Sequence, residues 1–151
     1  MLTKSKMVFL LFIFLLIACS KQLENGELLH EEQTGPYSQS VGDKLVEIVF
    51  NDDKFEVLWN SFNFEAKPLE VDFEKFAIVF AHTSESSTCP IEVDKMVISD
   101  TRTDLTIDTV QNGSTCTSDA VPKTFVIKIE KDKLEKVEII YFEGEAFSLD
   151  N

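Results

Sequence analysis

Phe76-Ala77-Ile78-Val79-Phe80-Ala81-His82 is the stretch on which the fold turns. It is strongly apolar, rich in β-branched and aromatic residues, and ends on a histidine, and it reads as a central strand. Working upstream, Lys44-Leu45-Val46-Glu47-Ile48-Val49-Phe50 reads as an earlier strand. Asn51-Asp52-Asp53 stops it, and Asp53 with Glu56 three residues on fits a capping box. Phe55, Leu58, Trp59 and Phe62 follow at i, i+3, i+4 and i+7, one apolar face of a short amphipathic helix over 53–62. An aromatic stripe of this kind reads as a core face. Ala66-Lys67-Pro68 connects the helix to the central strand.

Downstream, Thr83 to Thr88 reads as a polar loop leading into Cys89-Pro90. Ile91–Ser99 and Leu105–Gln111 read as two strands around a turn at Asp100–Asp104, and Asn112-Gly113-Ser114 as a turn before Cys116. Thr124–Glu130 and Val137–Phe142 alternate and read as a final hairpin across Lys131–Lys136. The expected domain, residues 44–151, is therefore an α+β, β-rich unit of about six mostly antiparallel strands packed with one helix.

Residues 19–43 have a different composition. Large apolar residues are few, Glu and Gln recur, and Asn25-Gly26, Gly35-Pro36 and Gly42 break the chain. Such a segment buries too little surface to order itself, and it is expected to be a flexible acidic tether. Ser20 to Asp43 as a coil would span roughly 25–30 Å. His30 is expected to be solvated within it.

The chain opens with Lys4 and Lys6, an apolar run from Met7 to Ala18, and Leu16-Ile17-Ala18-Cys19. A charged start, a short apolar segment and small residues describe a secretory signal over residues 1–18. The run is well short of the roughly 20 residues that a spanning helix needs. Leu16-Ile17-Ala18-Cys19 resembles the bacterial lipobox, which implies cleavage between Ala18 and Cys19 and a diacylglyceryl group on the Cys19 sulfur. Two acyl chains at one site give the stable anchoring that one chain does not. The expected location is the cell membrane, lipid-anchored and facing outside the cytoplasm.

Charge supports an anchor of that kind. The chain holds 14 basic and 27 acidic residues, and losing Lys4 and Lys6 with the signal moves its net charge from −13 to about −15. Such a surface is repelled by anionic membranes and by nucleic acid, so no nucleic-acid partner is expected and the lipid is the hold on the membrane. With Cys19 acylated, Cys89 and Cys116 remain. An even pair in an exported chain points to a disulfide.

Catalytic and metal constellations are sparse. His82 is the only histidine inside the expected domain, and Ser84, Ser86 and Ser87 beside it lack a nucleophile-elbow pattern. It reads as a strand-end residue. Asp108–Asp119 places Asp108, Asn112, Gly113 and Asp119 at positions 1, 5, 6 and 12 of a calcium loop. Val110 at position 3, the missing Glu at position 12 and the strand-like flanks argue against one. No metal, cofactor or catalytic residue is expected.

From residue 55 onward several pieces carry a resemblance: Leu58-Trp59 with Phe62, Pro68 with Val71-Asp72-Phe73 and Lys75, Ile78-Val79-Phe80, and Pro122 with Phe125-Val126-Ile127-Lys128-Ile129. They span about 75 of the 151 residues and resemble the PrcB C-terminal domain family of bacterial lipoproteins, whose type member belongs to a surface protease complex and is associated with its stability. The resemblance implies the β-rich fold and a non-enzymatic, protein-binding role. Family members carry a Thr-Gly-Gly-Tyr-like turn after the central strand, where this chain has Ser87-Thr88-Cys89-Pro90-Ile91. The same partner or binding mode therefore does not follow. The expected function is to bind or stabilise another envelope or secreted protein, with contact at edge strands and at the Cys89–Cys116 lobe. The alternative is a surface lipoprotein that binds a small ligand or a cation.

Overall fold

The structure is a computed structural model that describes residues 20–37, 40 and 42–149. In chain order the elements are β1 (Lys21–Leu23), β2 (Gly26–Glu32), β3 (Leu45–Val49), α1 (Asp52–Ser61), β4 (Phe76–Glu85), β5 (Ile91–Ile98), β6 (Asp104–Gln111), β7 (Val121–Glu130), α2 (Lys131–Leu134), β8 (Ile139–Phe142) and β9 (Glu145–Ser148). Five strands form an antiparallel sheet in the order β1-β2-β7-β4-β3. The other four form a second sheet, β5-β6-β8-β9, antiparallel except for the β6–β8 pair. The fold is α+β and β-rich.

Why the run at Phe76–His82 has no polar rhythm is now plain: both faces of β4 are covered. Ala77, Val79 and Ala81 point into a core shared with the second sheet, alongside Phe125, Ile127, Met96, Leu105, Ile140 and Phe142. Ile78 and Phe80 point the other way, into a cluster with Val49, Phe55, Trp59, Phe62 and Val126. The molecule is thus three layers deep, with α1, the five-stranded sheet and the four-stranded sheet stacked in turn. A strand covered on both faces reads as continuous apolar sequence.

Helix α1 lies where the aromatic spacing puts it, and Phe55 and Trp59 are buried. Its cap differs from the expected capping box. Asn51 is the N-cap, in extended conformation, and its Oδ1 accepts from the Lys54 N–H at 2.9 Å; Asp52 and Asp53 occupy the first turn, where carboxylates favour the helix dipole. Beyond the helix, Phe64 packs at a tilt against Trp59, ring centroids 4.5 Å apart, and the indole N–H donates to the Ala66 carbonyl at 2.9 Å.

Three expectations are corrected. The flexible tether over 19–43 is not what the structure has at 21–32: β1 and β2 are ordered strands, and Leu23 and Leu28 are buried in the inter-sheet core. The final hairpin does not exist. Residues 121–130 pair with β4 and β2 in the first sheet, whereas 139–142 run parallel to β6 in the second, and α2 makes the turn between sheets. The polar loop expected over 83–88 is shorter, because β4 runs on to Glu85 opposite Val121. The expected signal over 1–18 and the lipid-bearing Cys19 lie outside the described residues.

Candidate functional site

His82 sits at mid-strand on β4, only 3 % exposed, with Nδ1 3.0 Å from the Thr124 hydroxyl. That hydroxyl donates to the Thr34 carbonyl at 2.6 Å, and the Thr34 hydroxyl donates to the Phe62 carbonyl at 2.7 Å. Residues 33–35 thereby strap down over the imidazole so closely that a Cβ on Gly35 would stand 2.4 Å from its Cε1. Burial pushes the His82 imidazole below its usual range, only partly opposed by the Lys123 backbone and the Asp43 charge. The imidazole is thus buried under the strap and bonded to threonine, the setting of a structural histidine. Ser84 is engaged elsewhere, accepting from the Gly42 N–H at 3.1 Å.

His30, expected to be solvated, is packed between Trp59 and Phe64 at ring distances of 5.3 and 5.1 Å, with Nε2 2.9 Å from the Glu32 carboxylate. Glu85 was not legible as a special residue. It is buried at the end of β4, where Oε2 accepts from the Ile91 N–H at 2.7 Å and Oε1 from Gln33 at 2.8 Å. One carboxylate thus joins β4, the start of β5 and the strap.

Cys89 and Cys116 are joined in a disulfide, with Cα atoms 5.4 Å apart. Cys89 is buried and residues 112–120 are exposed, so the bridge pins an outer loop just ahead of the start of β5. Gly113 has φ of 115°, and a Cβ there would meet the Cys89 sulfur at 2.8 Å. Conformation and space both require glycine. Thr117 gathers the lobe: its hydroxyl lies 2.9 Å from that of Ser86 and 3.2 Å from that of Thr88, and it donates to Asp119. The hydrogen bond from Ser87, then that from Thr117, holds the Asp119 carboxyl below the usual carboxylate range. Asp108, the first position of the weighed calcium loop, instead faces Lys95 at 3.5 Å. Among the described residues no three His, Cys, Asp or Glu side chains converge as a metal site would need.

The strand edges differ from one side of the sandwich to the other. On the β1/β5 side, the Lys21 ammonium donates to the Val93 carbonyl at 2.9 Å and the Asn25 amide to the Met96 carbonyl at 2.8 Å. The β5 register also shifts between Val93 and Lys95, and β1 is only three residues long. Side-chain caps, an irregular register and shortness are all devices that blunt an edge. On the opposite side, β3 pairs with β4 in unbroken register from Leu45 to Val49, and its outer edge carries no strand among the described residues. A groove of about 270 Å³ runs along it, lined by Val46, Ile48, Phe50, Leu134, Val137 and Leu149 together with the polar Glu47 and Ser148. The Lys44 ammonium closes one end by donating to the Glu143 carbonyl at 2.6 Å and pairing with Glu145 at 3.2 Å. Lys131 marks the other, donating to the Phe50 carbonyl at 3.3 Å.

Among the described residues no helix is long and apolar enough to cross a membrane. No protein-family model, curated protein or solved structure matches the chain.

Proposed function

We propose that the protein is a membrane-tethered extracytoplasmic lipoprotein that binds or stabilises another envelope or secreted protein and performs no chemistry of its own. Leu16-Ile17-Ala18-Cys19 supplies the address, through acylation of Cys19. The observation that carries the binding role is the β3/β9 side, where a regular strand edge borders a groove of mixed aliphatic and polar lining. Proteins that remain alone blunt such edges, and this chain blunts the other side. The resemblance to the PrcB C-terminal domain family supports a protein-binding role, with a protease complex as one kind of assembly in which it would serve.

Cross-linking in intact cells followed by detergent pull-down is expected to recover a protein partner in stoichiometric yield. Repeated recovery of the chain alone would refute the binding role. Mass spectrometry of the N-terminal peptide is expected to find it beginning at Cys19 and carrying lipid; an unmodified Cys19 would refute the anchor.

A further inference from the structure

The geometry points to the outer edge of β3 as a strand-addition site for an extended segment of a partner protein, one that carries a Lys or Arg between two aliphatic residues. The inference rests on the protein-binding reading above and names the surface and the chemistry of its occupant.

Along an antiparallel strand, alternate residues direct their N–H and C=O groups to opposite edges. The side of Leu45–Val49 away from β4 therefore presents backbone donors and acceptors that no strand satisfies among the described residues. An incoming strand would pair with them, which is how sheet edges capture peptides. Side chains on β3 alternate as well. Val46 and Ile48 pack against the inter-sheet core beside the groove, whereas Glu47, which also borders the groove, alternates with them onto the face of Leu45 and Val49 and is exposed. Glu47 has no ion-pair partner among the described residues and so is free to meet a cation on an added strand. Aliphatic groups over the groove and a cation opposite Glu47 are what this pattern recognises.

A second copy of the chain is the poorer occupant. Full antiparallel overlap of two β3 strands sets Glu47 directly against Glu47, and like charges facing each other across a ladder destabilise it. Sliding the pair by two residues avoids that clash but leaves only a short overlap of a strand that is five residues long.

The test uses the full chain in detergent and a labelled, end-blocked peptide, Thr-Val-Lys-Val-Thr, read by fluorescence anisotropy. Valines of such a strand face the groove and its lysine faces Glu47. Saturable binding is expected, weakened roughly tenfold when Glu replaces the lysine. N-methylation of the lysine nitrogen and N-methylation of the two valine nitrogens should have opposite outcomes, one abolishing binding and the other sparing it, because only one set faces β3. E47K should invert the preference between the Lys and Glu peptides, with thermal unfolding confirming that the variant is folded. Absence of saturable binding, equal tolerance of both methylation patterns, or an unchanged preference in E47K would each overturn the site. Sedimentation of the chain as a dimer that the peptide does not dissociate would overturn it in favour of a second copy. If the peptide fails while cross-linking in cells still recovers a partner, the binding role stands and only its placement on β3 falls.

Discussion

The β1/β5 side and the β3/β9 side of the sandwich solve the same physical problem differently. Both expose strand edges whose backbone groups lack a neighbouring strand. On the β1/β5 side, the hairpin of β1 and β2 lends Lys21 and Asn25 to the carbonyls of Val93 and Met96. Lys21 also pairs with Glu92 at 3.8 Å, and Asn112 donates to the same carboxylate at 2.7 Å. The disulfide lobe stands at this end of β5. On the β3/β9 side, by contrast, Lys44 and Lys131 hold backbone carbonyls at the two ends of the groove, and no side chain among the described residues caps the backbone of β3 between them. One side is tied by side chains to β5, and the outer edge of β3 carries no strand among the described residues.

Breaking the closed side at its covalent tie should have the largest effect. The bridge spans 27 positions, and on a chain-entropy basis it contributes about 3.5 kcal/mol. The double variant Cys89→Ser with Cys116→Ser should lose about that much in urea unfolding, with the loss absent when wild type is measured reduced. An equal midpoint for the two oxidised proteins would show that the lobe is ornamental to the fold.

Uncapping the same side without touching the bridge should cost less. Asn25→Ala leaves the Met96 carbonyl without its 2.8 Å donor, a loss of about 1 kcal/mol. It should also increase concentration-dependent association, because a capped edge becomes a free one. Light scattering together with urea unfolding checks both. Unchanged association would mean that the register shift in β5 suffices to protect it.

How much of this contrast the residues disclose depends on where their partners lie. β4 and α1 are legible because their burial is written in local periodicity: an unbroken apolar run for a strand covered on two faces, and i, i+3, i+4, i+7 for a helix covered on one. The disulfide follows from parity once Cys19 is set aside. The β1–β2 hairpin is not legible, since Gly26–Glu32 carries only Leu28 and Leu29 as large apolar residues. Its stability comes from β7, about a hundred residues away in sequence, and its bulge between Leu28 and His30 breaks the alternation that would mark a strand. β7 and β8 look like a hairpin because they are adjacent and both alternate. Nothing local says that α2 carries the chain from one sheet to the other. The groove is further out of reach, being assembled from β3, α2 and β9.

Acid should weaken the molecule in two windows of smaller effect. His82 is held neutral by burial, its pKa lying below the ordinary 6.5. The unfolded chain therefore takes up this proton first, and stability falls as pH drops below about 6.5, until the folded ring protonates too. Glu27 is held below its ordinary 4.5, chiefly by its hydrogen bond with Lys128, with nitrogen and oxygen 2.6 Å apart. Its contribution is present above about 4.5 and is lost as pH falls through the depressed value. Urea midpoints across pH should show His82→Gln flattening the upper window alone and Glu27→Gln reducing only the lower. Loss of both windows in either variant would mean that one residue governs the acid response.

The smallest effect on stability is expected where the effect on binding is largest. Glu47 lies on an exposed position of an edge strand and satisfies no backbone group, so E47K should change unfolding free energy by less than about 0.5 kcal/mol. Asn25 is also polar and lies at an edge, but its amide completes a carbonyl of β5, which is why its loss registers and that of Glu47 does not. Calorimetry of the two variants side by side makes the comparison direct. Should E47K prove as costly as Asn25→Ala, Glu47 would have a structural partner within the fold and the middle of β3 would not be bare. A silent E47K, with the Lys and Glu peptides exchanging rank, would separate the residues that close one side from the residue that keeps the other selective.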